Sequence, residues 1–142
     1  MSNEGGTKNF GTVYKLTLVT TGKKKGTWTE KLLYSFKGGT KDGSEANSGI
    51  VFDTAGNIYG TTTQGGKHGL GIVFELVAPV GTSKVYKEKV LLTFTGANGG
   101  QPYSSLILDS AGNLYGTTPE GGSNGYGCIR GDSVGVLINS LL

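Results

Sequence analysis

Polar and apolar positions in this chain alternate with a period of two over short stretches, and glycine-rich turns separate the stretches. Ile50 and Phe52 fall on one strand face with Val51 and Asp53 on the other, and the turn Asp53-Thr54-Ala55-Gly56 reverses the chain into a second strand over 57–62. In that turn the Asp53 carboxylate is placed to accept backbone N–H groups, and Gly56 supplies a positive φ. A glycine-rich loop leads to a third strand over 72–78, where Ile72, Phe74 and Leu76 share a row. After a turn at 79–83, a fourth strand runs over 84–94, with Val90, Leu92 and Phe94 expected on one face. The pattern predicts consecutive antiparallel hairpins and no helix longer than about two turns. It also predicts burial of Ile50, Phe52, Phe74, Leu76, Leu92, Phe94, Leu106 and Leu108.

The pattern then returns. Residues 48–62 recur as 104–118, so Asp109 and Gly112 replace Asp53 and Gly56, and Tyr115-Gly116-Thr117-Thr118 replaces Tyr59-Gly60-Thr61-Thr62. Gly65-Gly66 recurs as Gly121-Gly122. Upstream, Lys31-Leu32-Leu33-Tyr34-Ser35-Phe36 matches Lys89-Val90-Leu91-Leu92-Thr93-Phe94, and Gly11-Thr12-Val13-Tyr14-Lys15-Leu16 matches Gly71-Ile72-Val73-Phe74-Glu75-Leu76. The chain thus divides into a half repeat over 10–47, a full repeat over 48–103 and a partial repeat over 104–127, all in one domain spanning 1–127, with an atypical tail over 128–142. Four antiparallel strands per repeat point to an all-β, incomplete β-propeller-like chain of blade repeats, with a flatter stacked sheet or sandwich as the alternative. Two, four and two strands fall short of a closed propeller, which needs about four blades or sixteen strands. The expectation is an open fragment, or self-association through open sheet edges in which terminal half-blades pair between chains.

Composition agrees with strands and turns. Of 142 residues 27 are glycine, with no collagen period and only three prolines. Thirteen Lys and Arg against ten Asp and Glu leave a net charge of +3, spread along the chain, which argues against a nucleic-acid surface. The one cluster, Lys23-Lys24-Lys25, reads as a solvated turn tip. One cysteine, Cys128, and one histidine, His68, leave no disulfide within the chain and no basis for a metal site or a cofactor. The N-terminal residues lack the basic and apolar regions of a signal peptide, and no apolar stretch approaches the ~20 residues of a membrane span.

The run Asp53-Thr54-Ala55-Gly56-Asn57-Ile58-Tyr59-Gly60-Thr61-Thr62, the Gly65-Gly66 loop, Gly71-Ile72-Val73-Phe74-Glu75-Leu76 and the later Leu-Leu-Thr-Phe strand resemble the GloVer repeat of bacterial choice-of-anchor tandem-repeat proteins. The resemblance covers about residues 10–127. It implies a propeller-like tandem-repeat protein, extracellular or at the cell surface, normally with more repeats and an envelope anchor. That family offers no catalytic residues to carry over.

The tail departs from this pattern, because Cys128-Ile129-Arg130 stands where an Ile/Thr-Val-Phe strand is expected. Cys128 to Val134 is encodable so that reading one base later gives Ala-Phe-Glu-Val-Thr-Pro, close to Val73-Phe74-Glu75-Leu76 and Pro79, which suggests a shifted reading frame. Because placing Arg130 where Phe74 sits would bury an unpaired charge, the tail is expected to be poorly ordered or to pack unlike residues 72–86.

Candidate chemistry is sparse. Arg130-Gly131-Asp132 spells an integrin-binding tripeptide inside the atypical tail. Gly65-Gly66-Lys67-His68-Gly69-Leu70-Gly71 resembles a phosphate loop, but a strand follows it where such a loop needs a helix. His68 corresponds to Asn124, so the repeat does not require it. The carboxylates Asp53, Asp109, Glu75 and Glu120 invite a carboxylate-pair reading, but the two aspartates sit at equivalent turns of successive repeats, which favours turn capping over catalysis. Tyr59 and Tyr115, each followed by glycine and Thr61 or Thr117, are the best candidate ligand contacts, for stacking against a sugar or packing on a partner protein, with burial between sheets as the bland alternative. The expected function is a non-enzymatic binding or surface module for a glycan or protein ligand. A fragment of a propeller hydrolase or lyase and a purely structural spacer are the alternatives.

Overall fold

The computed structural model describes residues 1–122 and, as backbone, 135–138; the tripeptide at 130–132, Cys128 and Asn124 lie outside these. The described chain is all-β, with eleven strands in antiparallel sheets. The first sheet joins β1 (Thr12–Leu18) and β2 (Trp28–Ser35). The central sheet contains β4 (Val51–Phe52), β5 (Ile58–Thr62), β7 (Ile72–Val77) and β8 (Lys87–Thr93) in that spatial order, the consecutive hairpins that the alternation predicts. A third sheet holds β9 (Ile107–Leu108), β10 (Leu114–Thr117) and β11 (Gly135–Ile138), and a short ribbon pairs β3 (Gly43–Ser44) with β6 (Gln64–Gly65). The described strands close into neither a barrel nor a propeller.

Two apolar layers hold the sheets together, and they share repeat-equivalent residues. In the first, Val13 and Phe36 pack with Ile58, Ile72, Phe74 and Leu76 of the central sheet. In the second, Tyr59, Val73 and Phe94 from the opposite face of the central sheet pack with Leu106 and Leu114. Val73 and Phe94 repeat Val13 and Phe36 in the sequence match, so each repeat uses one face toward the preceding repeat and the other toward the next. The Phe36 and Phe74 rings meet edge-to-face with centroids 5.1 Å apart, a geometry favoured by the ring quadrupoles. Gly60, opposite Phe74 across the strands, leaves room for that ring: a Cβ there would come within 2.8 Å of Phe74 Cζ.

The expected core is correct for Phe74, Leu76, Phe94 and Leu106, which are buried, while Ile50, Leu92 and Leu108 are half-buried. Phe52 corrects the expectation, being 58% exposed. Its strand face points the way Ile58 does, but only two described strands form the first sheet. Leu108, its repeat equivalent, is half-buried because β4 lies beside β9.

The expected row of Val90, Leu92 and Phe94 also needs correction. Register shifts between Val73 and Phe74, so Leu92 faces Val73 whereas Val90 faces Phe74, and Leu91 is the extra residue of a β-bulge. Val90 therefore packs into the first layer, and Leu92 and Phe94 belong to the second. The same shift occurs between Val13 and Tyr14, where Leu33 is the extra residue.

Of the tail, only the backbone of Gly135–Ile138 is described. Gly116 is opposite Val136, as Gly60 is opposite Phe74, so the backbone of Gly135–Ile138 pairs with β10 as β7 pairs with β5. Val136 thus stands where Phe74 does, whereas Arg130 lies outside the described residues.

Candidate functional site

The repeated motif is built from the turn upward. Asp53 N–H donates to the Asn57 carbonyl at 3.2 Å and Gly56 N–H to the Asp53 carbonyl at 3.2 Å, with Gly56 at φ 84°. Asp53 Oδ1 accepts the Asn57 amide at 2.9 Å, and Oδ2 accepts Asn57 Nδ2 at 2.7 Å and the Tyr59 hydroxyl at 3.0 Å. Burial pushes the Asp53 carboxyl up, but these donors outweigh it and hold the group below the usual carboxylate range. Asp109, Asn113 and Tyr115 repeat the network, with the Asn113 amide at 2.8 Å, its side chain at 2.8 Å and the Tyr115 hydroxyl at 2.9 Å. The Asn113 side chain and amide, with Tyr115, bring the Asp109 carboxyl down to about 2. Gly112 N–H donates to the Asp109 carbonyl at 3.1 Å, so both aspartates and both glycines sit in turns.

Tyr59 is 4% exposed, its ring inside the second apolar layer. Its hydroxyl also lies 3.3 Å from Glu75 Oε1, which leaves one proton between two carboxylates. Burial and the Asp53 and Glu75 carboxylates raise the Tyr59 hydroxyl well above its ordinary value. Glu75 is in turn bridged to Lys89 at 3.3 Å. Thr61 is buried and donates to Ser48 Oγ at 2.8 Å, and Thr117, exposed, donates to Ser104 Oγ at 2.9 Å. A void of about 10 Å³ separates Thr61 from Thr117, room for one water at most. The structure thus puts Tyr59 and Thr61 in the interior and Tyr115 half-buried, rather than arraying them on an open surface. His68 lies exposed in its loop, and the three consecutive lysines lie exposed at a hairpin turn.

A second constellation escapes the sequence reading. The outer strands of the first and central sheets flank a cleft of about 410 Å³, lined by Tyr34, Ser35, Lys37, Tyr86, Lys87 and Glu88. The Tyr34 hydroxyl donates to Asp42 Oδ2 at 2.8 Å, and Asp42 also accepts the amides of Lys37 at 2.9 Å and Gly43 at 2.6 Å. Glu88 Oε1 is buried and has no hydrogen-bond partner among the described residues. Burial, then the negative charge of Asp42, pushes the Glu88 carboxyl up to about 8. The one sequence signal is Glu88 itself, a charge in the row that Tyr86 and Val90 share against the first layer.

Repeated antiparallel units that pack face to face around one recurring polar network define a tandem-repeat β protein. No cluster of three or more His, Cys, Asp or Glu side chains placed for a metal occurs among the described residues. The chain belongs to the Gloeobacter/Verrucomicrobia repeat family, whose model matches residues 1–130. Comparison with curated proteins and with solved structures gave no match. Among the described residues no helix is long and apolar enough to cross a membrane.

Proposed function

We propose that the chain is a non-enzymatic binding module, presented outside the cell, whose four-stranded repeats act as propeller blades and whose cleft between the first and central sheets holds a hydroxyl-rich ligand such as a glycan. One observation carries this reading: the polar groups of the repeated motif bond to one another, whereas Glu88 Oε1 lies buried beside an open cleft with no donor among the described residues. A sugar hydroxyl would supply that donor, and Tyr86 and Tyr34 at the cleft offer ring surface for its apolar face.

A glycan-array screen of the whole chain tests the reading. Binding should weaken strongly in Tyr86→Ala and Glu88→Ala and persist in Tyr103→Ala, an exposed tyrosine outside the cleft. A folded chain that binds no glycan, or binding indifferent to both cleft substitutions, rejects it. A hydrolase has one feature in its favour, because a carboxyl group raised to about 8 beside Asp42 holds a proton at neutral pH. Release of reducing ends from a bound polysaccharide, abolished in Glu88→Gln, would favour that reading over simple binding.

A further inference from the structure

The first sheet shows an apolar face that none of the described residues covers. Tyr14, Leu16 and Leu18 alternate along β1, and Leu18 pairs with Trp28, which is 62% exposed. In the repeat match Tyr14 and Leu16 correspond to Phe74 and Leu76, which are fully buried against Val13 and Phe36 of the preceding unit. The edge of β1 is open as well. Ser2 bridges Thr12 at its start, and no described strand pairs with Val13 to Leu18 on the side away from β2. In the central sheet the corresponding edge of β7 carries β5.

The third sheet offers the complement. Its β10 is the repeat equivalent of β5, and we propose that β10 of one chain pairs with β1 of a second copy in the register that β5 makes with β7. The result is a four-stranded sheet β9–β10–β1–β2 shared between two chains. The register sets Leu114 opposite Leu16, Tyr115 opposite Lys15, Gly116 opposite Tyr14 and Thr117 opposite Val13.

Three features fit that occupant. The Tyr14 ring meets Gly116, as the Phe74 ring meets Gly60, where a Cβ would clash. Lys15 faces Lys31 across the first sheet, a like-charged pair at the place where the central sheet has Glu75 facing Lys89. The second copy brings the Asp109 carboxylate, bonded to Tyr115, next to Lys15. Finally, β9 of the second copy would lie over β4 and cover Phe52, as β4 itself lies beside β9.

This contact is head-to-tail, so each copy leaves one end open for the next. It also has an internal competitor, because β11 occupies the same edge of β10. The backbone of Gly135–Ile138 therefore limits association, and pairing with a second copy requires its displacement.

The test uses the full chain and is independent of glycan binding. Sedimentation across a concentration series compares the parent with Val136→Pro/Ile138→Pro, which removes backbone donors from the competing strand. The prolines should tighten association by about tenfold or more and move Trp28 emission to shorter wavelength on assembly. Register is read in the Cys128→Ser background by oxidising Lys15→Cys with Tyr115→Cys, which should give an intermolecular ladder, against Thr17→Cys with Tyr115→Cys, which should not. A proline variant that stays monomeric with a parent-like far-UV spectrum overturns the proposal. So does equal cross-linking by the two cysteine pairs.

Discussion

The amide of Gly49 donates to Ser105 Oγ at 3.0 Å, and these two residues occupy equivalent positions in successive repeats. The second repeat thus hands a backbone donor to the third at the point where each inner strand begins. A Cβ on Gly49 would collide with Ser105 Oγ, so the residue before Ile50 is small for the sake of the next repeat.

Gly49→Ala should destabilise the chain by about 1–3 kcal/mol, through the collision or through loss of the bond when Ser105 turns away. On a Ser105→Ala background the same change should cost less, since the clashing oxygen is gone. Urea denaturation of the four-member cycle measures the difference, and strict additivity would mean that the two residues do not communicate.

The Tyr59 hydroxyl sits between the carboxylates of Asp53 and Glu75, at 3.0 and 3.3 Å. Removing it in Tyr59→Phe leaves a buried acceptor without its donor, at about 1–3 kcal/mol. Tyr115→Phe should cost less, because Tyr115 is only half-buried and water reaches Asp109. Equal losses from the two substitutions would show that Glu75 and burial do not set the strength of this network.

Repetition made much of this legible in the sequence. Asp53, Gly56, Asp109 and Gly112 fall in turns on the sequence alone, since a carboxylate and a glycine at fixed spacing between two alternating stretches have few other uses. What escaped depends on neighbours that alternation does not encode. Phe52 alternates like a core residue, yet it is exposed, and only two described strands form the sheet that its face points toward. Leu91 is as apolar as its neighbours, so nothing local marks it as the bulge that sends Val90 and Leu92 to opposite faces. The pairing of the cleft residues was not legible because Tyr34 and Asp42 belong to the half repeat over 10–47 and Glu88 to a strand more than forty residues away.

A carboxylate–amide pair changes hands between repeats. Gln64 Nε2 donates to Glu45 Oε1 at 2.6 Å, whereas Gln101 Nε2 donates to Glu120 Oε2 at 2.7 Å, with Glu45 and Gln101 both at positive φ. Gln64→Glu would set two carboxylates against each other and should cost about 0.5–1 kcal/mol at this exposed site. Adding Glu45→Gln reproduces the arrangement of the next repeat and should restore stability. A double variant no more stable than the single one would show that the exchange is incidental.

Glu88 makes stability depend on pH in the sense opposite to most carboxylates. Its folded-state value, about 8, lies above the ordinary 4.5, so the folded chain binds the proton more tightly than the unfolded chain does. The contribution is therefore fully present below about pH 4.5 and is lost as pH rises through 8. Asp109, brought down to about 2, acts the other way: its contribution is present above the ordinary 3.8 and fades as pH falls toward 2. The melting temperature should thus be highest in mildly acid solution, between those two windows, and decline toward pH 8. Glu88→Gln keeps the neutral shape without the titrating proton, so it should flatten the alkaline decline and leave the acid limb in place. A variant that follows the parent curve from pH 5 to pH 9 would mean that the carboxyl facing Asp42 is not the group being titrated.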